Sequence, residues 1–119
     1  MLMPLAAVKT IDRDELRSAL AAGKVKLVMA LSEWAFQAKH IPGSLHFNSA
    51  AELMTALGKD EDIVVYCSDV NCHASIALYQ NLLEHGYTHV RRYSGGLIDW
   101  EAAGLPLEGD WITGKSASD

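Results

Sequence analysis

The side chains best suited to chemistry are Cys67 and Cys72, five positions apart, with His73 directly after the second. A thiolate is a nucleophile and a metal ligand, and a second thiol within reach can attack what the first has bound and close a disulfide. The spacing does not suit zinc. There is no second Cys-x2-Cys pair, and His40, His46, His73, His85 and His89 fall at no ligand spacing around the cysteines. No metal and no cofactor is expected. Two cysteines are also too few for the disulfide framework of a small secreted scaffold. Two readings remain, reactivity or inert packing, since free cysteine is among the most buried residue types.

Which of the two holds depends on the elements around Cys67. Residues 63–67, Ile-Val-Val-Tyr-Cys, are β-branched and aromatic and read as a buried strand. Ser68, Asp69 and Asn71 make the next segment polar apart from Val70, and a helix follows from about 73 or 74 to 85. Ile76, Leu78, Tyr79, Leu82 and Leu83 form its apolar face and Gly86 its stop. A cysteine at such a strand end gains two things. Loop N–H groups can converge on the sulfur, and the positive end of the helix dipole favours thiolate over thiol.

The rest of the chain supplies the frame. A short strand is expected at 7–11. Asp12 and Glu15 stand at capping-box spacing, with Ile11 and Leu16 placed as a hydrophobic staple and Gly23 as the stop of the helix they open. Residues 25–31 are a near-continuous apolar run, as in a strand covered on both faces. A helical turn at 33–39 ends before Pro42 and Gly43. A strand at 44–47, a helix at 49–57 capped by Ser49, a strand at 89–93 and a helix at 97–102 complete the order. Strands alternating with helices imply an α/β fold, with a mostly parallel central sheet of about five strands and helices on both faces. Ligands of such sheets bind outside the carboxyl ends of the strands, where Cys67 stands.

Three stretches carry a family resemblance. Val64-Val-Tyr-Cys67 followed by loop, helix and Gly86-Tyr87 resembles the active-site segment of rhodanese domains. His40-Ile-Pro-Gly-Ser44 is similar to the family's HIPGA signature. Tyr93-Ser-Gly-Gly-Leu-Ile-Asp-Trp100 with the following Glu-Ala-Ala-Gly-Leu-Pro106 resembles its closing GG…W…AGLP. The three run in order from about Ile11 to Leu107. The resemblance implies a sulfurtransferase in which Cys67 takes a sulfane sulfur from thiosulfate or a persulfide, holds it as a persulfide and yields it to a thiol or cyanide. The expected partners are therefore a small sulfur donor and a thiophilic acceptor, or a protein persulfide.

The chain departs from the family in three places. Many rhodaneses carry Asp-x-Arg at the end of the second strand; here Met29 and Leu31 stand there. The loop Ser68-Asp69-Val70-Asn71-Cys72-His73 holds no Arg or Lys, so weak affinity for the thiosulfate dianion is expected and a neutral or protein-borne donor fits better. The same absence argues against phosphoryl transfer, which would want an Arg clamp. The loop is also one or two residues longer than usual and contains Cys72, as in a less common Cys-x4-Cys subset. Cys72 is either a resolving thiol or a residue packed beneath the helix start, and the second reading is slightly favoured. His73 is read as a neutral surface or capping residue, His40 as structural, and Trp34, Trp100 and Trp111 as packing residues. Two rivals to sulfur transfer follow: a non-catalytic regulatory or binding module, and a thiol redox protein using Cys67 and Cys72.

Composition sets the outer bounds. With 119 residues, half of them hydrophobic, the chain suffices for one domain, 1–119, with its core at about 7–108 and a polar tail at 114–119 expected to be disordered. A net charge of −5 with no basic stripe argues against nucleic acid. Apolar runs are broken well short of the roughly 20 residues of a membrane span, and the first residues do not read as a secretory signal. Neither nucleic acid nor a membrane is expected as a partner, and the expected location is cytoplasmic.

Overall fold

The computed structural model describes residues 8–68 and 72–111. The chain runs α1 (Arg13–Ala21), β1 (Lys26–Met29), α2 (Glu33–Ala38), α3 (Ala50–Ala56), β2 (Ile63–Tyr66), α4 (Ala74–Glu84), β3 (Val90–Arg92) and α5 (Gly96–Ala102). β2 lies at the centre of a parallel sheet in the order β1-β2-β3, with Lys26 opposite Ile63 and Ile63 opposite Val90. All four residues of β2 are buried, as its β-branched and aromatic composition requires.

Side chains alternate across the sheet and build two cores. Leu27, Met29, Val64 and Tyr66 face one way, against Leu16 of α1 and Leu97 and Trp100 of α5, with Phe36 of α2 packed at the margin. Val28, Ile63, Val65 and Val90 face the other, against Leu53 of α3 and Tyr79 and Leu82 of α4. Helices therefore cover both faces, as the strand–helix alternation implies.

Among the described residues the sheet has three strands, where about five were expected. The segments at 7–11 and 44–47 each meet it through a single bridge, Thr10 beside Arg92 and Leu45 beside Val28. At one edge Ile11 N–H donates to Arg92 O and Arg92 N–H to Lys9 O; at the other Leu45 N–H donates to Leu27 O and Met29 N–H to Leu45 O. Among the described residues no longer ladder forms at either edge, since the chain turns into the cap of α1 after Ile11 and reaches Leu45 directly from the turn at Pro42-Gly43. Residue 7 and the tail at 114–119 lie outside the described residues.

The helix starts follow their caps. The Asp12 side chain accepts from Glu15 N–H at 2.8 Å while Glu15 returns to Asp12 N–H, and Ser49 accepts from Glu52 N–H at 3.1 Å. Ser32 caps α2 in the same way. Of the three tryptophans only Trp100 is a packing residue. Trp34 and Trp111 are 68% and 60% exposed and meet each other edge to face. Their positions fall on the outer side of α2 and on the segment that seats against it, where no further layer of the described residues covers them. Among the described residues no helix is long and apolar enough to cross a membrane.

Candidate active site

Cys67 is the first residue after β2 and is almost wholly buried. The chain around it is held by the start of α5: Leu97 N–H donates to Cys67 O and Ile98 N–H to Ser68 O, both at 2.9 Å. The Gly95-Gly96 turn permits this approach. Gly96 takes a φ of +68°, and a Cβ on Gly95 would lie 2.7 Å from the Asp99 side chain.

Cys67 and Cys72 are joined as a disulfide, with their Cα atoms 6.3 Å apart. Cys72 is half-buried and its sulfur is directed to Cys67 rather than into the core beneath α4, contrary to the slightly favoured expectation. That the two thiols meet is not readable from their spacing alone. Asp69, Val70 and Asn71 lie outside the described residues, so the expected N–H cradle does too. His73 is exposed, occupies the N-cap position of α4 in αR conformation and makes no capping bond with its side chain, so it does not serve as the helix cap.

Two further residues complete the site, and neither was singled out from the sequence. Ser75, in the first turn of α4 and fully buried, places its Oγ 3.3 Å from Cys67 Sγ. Arg92, at the carboxyl end of β3 and only 6% exposed, donates from Nε to that same Oγ at 2.8 Å and from Nη2 to Cys72 O at 3.2 Å. Burial lowers the pKa of its guanidinium. The loop itself supplies no Arg or Lys, but the site contains a cation brought from the neighbouring strand. The signal was present: Val90 is a core residue, so the period of two places Arg92 on the same buried face. Val65 is opposite Arg92 in register, and Cys67 follows Val65 by two, so sulfur and guanidinium share the face that α4 covers.

The residue before the sulfur explains the His40–Ser44 motif. Tyr66 Oη accepts from Ile41 N–H at 3.0 Å and pairs with Ser44 Oγ at 3.0 Å, while Ser44 Oγ donates to Ile41 O. Burial pushes the Tyr66 phenol up to about 12. His40 Nδ1 lies 2.7 Å from Phe36 O and its ring stacks on Phe36, a structural role as expected.

Beyond the end of β1, Met29, Leu31, Phe47, Asn48, Ser49, Leu53, Ala74 and Leu78 line a depression of about 210 Å³, with no charged side chain among the described residues of its wall. A second cleft of about 240 Å³ opens beside Ser68, bounded by Leu97, Ile98 and the Lys39–Glu101 ion pair.

The model of the rhodanese-like domain matches residues 12–103. The chain is 34% identical over 100 residues to the HTH-type transcriptional regulator Rv0324 of Mycobacterium tuberculosis, covering 82% of this chain and 44% of that protein. It is 31% identical to the thiosulfate sulfurtransferase GlpE of Pseudomonas savastanoi, covering 79% of this chain and 88% of that one. Human single-domain sulfurtransferase TSTD1 superposes with a TM-score of 0.64 at 27% identity, over 81% of this chain and 97% of that chain. The chain spans less than half the length of three of the curated relatives it matches, at 44%, 32% and 49%. With its parallel sheet, helices on both faces and a match over most of its length, the chain belongs to the rhodanese-like domain family.

Proposed function

We propose that the protein is a sulfurtransferase in which Cys67 carries the sulfane sulfur as a persulfide. The observation that carries this reading is the position of Cys67 Sγ, at the carboxyl end of the central strand and against the first turn of α4. With the disulfide opened, the Cys67 thiolate attacks the outer sulfur of a donor. From a persulfide R–S–S⁻ the products are Cys67–S–S⁻ and R–S⁻; from thiosulfate they are Cys67–S–S⁻ and sulfite. A thiolate or cyanide then takes the outer sulfur and returns the Cys67 thiolate. Among the described residues, the depression beyond Met29 and Leu31 offers no cation to a dianion, which supports persulfide donors over thiosulfate.

The disulfide supports a second reading. Attack of the Cys72 thiol on the inner sulfur of Cys67–S–S⁻ gives the Cys67–Cys72 disulfide and HS⁻, so a loaded domain without an acceptor would release sulfide and stop in the oxidised state. A dithiol reductant then restores both thiols and is itself oxidised to a disulfide.

The test is turnover by the reduced protein with a low-molecular persulfide or thiosulfate as donor and cyanide as acceptor, in wild type, Cys67→Ser and Cys72→Ser. Sulfur transfer requires Cys67 and persists in Cys72→Ser, faster with the persulfide. Sulfide release without acceptor requires both cysteines. Wild-type turnover equal to that of Cys67→Ser would remove the enzyme reading and leave a binding module.

A further inference from the structure

We infer that Arg92 and Ser75 form a hydrogen-bond relay that stabilises the anionic sulfur of Cys67, so that the site's cation comes from β3 and acts through a hydroxyl. The inference rests on Cys67 being the reacting thiol. The direction of the relay follows from donor and acceptor inventory. A guanidinium has donors only, so Ser75 Oγ must accept from Arg92 Nε at 2.8 Å. The one hydroxyl hydrogen of Ser75 is then available to the atom on its other side, Cys67 Sγ at 3.3 Å. A disulfide sulfur has no hydrogen to donate, and a thiolate has none either, so in both states sulfur is the acceptor.

Burial makes the arrangement consequential. Ser75 is fully buried, Arg92 is 6% and Cys67 1% exposed, so little water screens the charge. Charge-assisted donation from Arg92 polarises the Ser75 O–H toward sulfur. The second arm of Arg92, on Cys72 O, ties the residues just before α4, so one side chain holds both the Ser75 hydroxyl and the second cysteine's carbonyl. Ser75 touches the reacting atom; Arg92 is a positioning residue that acts through it. A lysine cannot reproduce the fork that reaches both acceptors.

The experiment is the pH dependence of Cys67 alkylation by iodoacetamide in the reduced protein. A Cys72→Ser background leaves one thiol to react, and Ser75→Ala, Arg92→Lys and Arg92→Met are compared in it. Ser75→Ala removes one oxygen from a helical position and leaves the helix backbone favoured, so it folds even if the arginine variants do not. Ser75→Ala is expected to raise the Cys67 pKa by about one unit, a roughly tenfold slower alkylation below that pKa. Arg92→Met is expected to raise it at least as much, and the two changes together no more than the larger alone. An unchanged pH profile in folded Ser75→Ala overturns the relay and leaves Arg92 a purely structural tie. The readout needs no sulfur donor, so it stands or falls separately from sulfur transfer itself.

Discussion

Tyr66 and Cys67 are adjacent along the chain and do different work because the strand turns them to opposite faces. The Tyr66 hydroxyl is the partner of the Ile41 amide and of Ser44. Tyr66→Phe leaves that buried amide without an acceptor, an expected loss of about 1–3 kcal/mol in urea unfolding, with sulfur loading retained in the folded protein. Ionisation gives a second prediction. Burial raises the pKa of Tyr66 to about 12 and also raises that of Tyr93, where desolvation is joined by the carboxylate of Asp99. In the unfolded chain both phenols lose their protons near pH 10, so the folded state binds more protons above that point. The stability they contribute is full below about pH 10 and falls as pH rises toward 12, by up to about 1.4 kcal/mol per unit for each phenol. Urea midpoints measured from about pH 9 to about pH 11 check this; a flat profile would contradict the two buried phenols. At this scale the sequence placed Cys67 correctly because a buried strand ends there. Arg92 and Ser75 were missed because an arginine beside a second arginine reads as surface until the strand's inward face is counted.

At the scale of elements, caps and stops were legible because they are local. Asp12 with Glu15 and Ser49 with Glu52 act through three-residue spacing, and the structure shows the bonds. The outer strands were not legible, since their length depends on how soon the chain leaves the sheet, and local composition does not fix that. The segment 108–111 is a similar case. His40 and Glu108 exchange both backbone bonds, and Trp111 N–H donates to Ala38 O, so the segment seats on the end of α2. It can do so because Gly109 has φ +135°, and a Cβ there would lie 2.5 Å from Ala38 O. Gly109→Ala is therefore expected to cost about 1–3 kcal/mol and to unseat this segment, with faster amide exchange at Trp111 and His40. Unchanged exchange and stability would show that the backbone tolerates the contact.

For the whole molecule, two cores on one sheet carry the stability, and the disulfide is a local feature of the loop. It closes a loop of sequence separation 5, for which chain entropy predicts about 2 kcal/mol. Reduction should lower the midpoint of thermal unfolding by several degrees, roughly 4 °C per kcal/mol at this size, and leave one cooperative transition. Loss of cooperativity on reduction would mean that the disulfide supports the fold itself. Ser75 and Arg92 both lie outside the short stretch that the disulfide closes.

Persulfide formation on Cys67 is read most directly from the intact mass of the reduced protein after brief exposure to a low-molecular persulfide. A gain of one sulfur atom is expected in Cys72→Ser, absent in Cys67→Ser and removed by cyanide; wild type shows the same gain or, once Cys72 has closed the disulfide, the loss of two hydrogens. An unchanged mass in folded, fully reduced Cys72→Ser, or a gain that survives Cys67→Ser, would contradict sulfur carriage by Cys67.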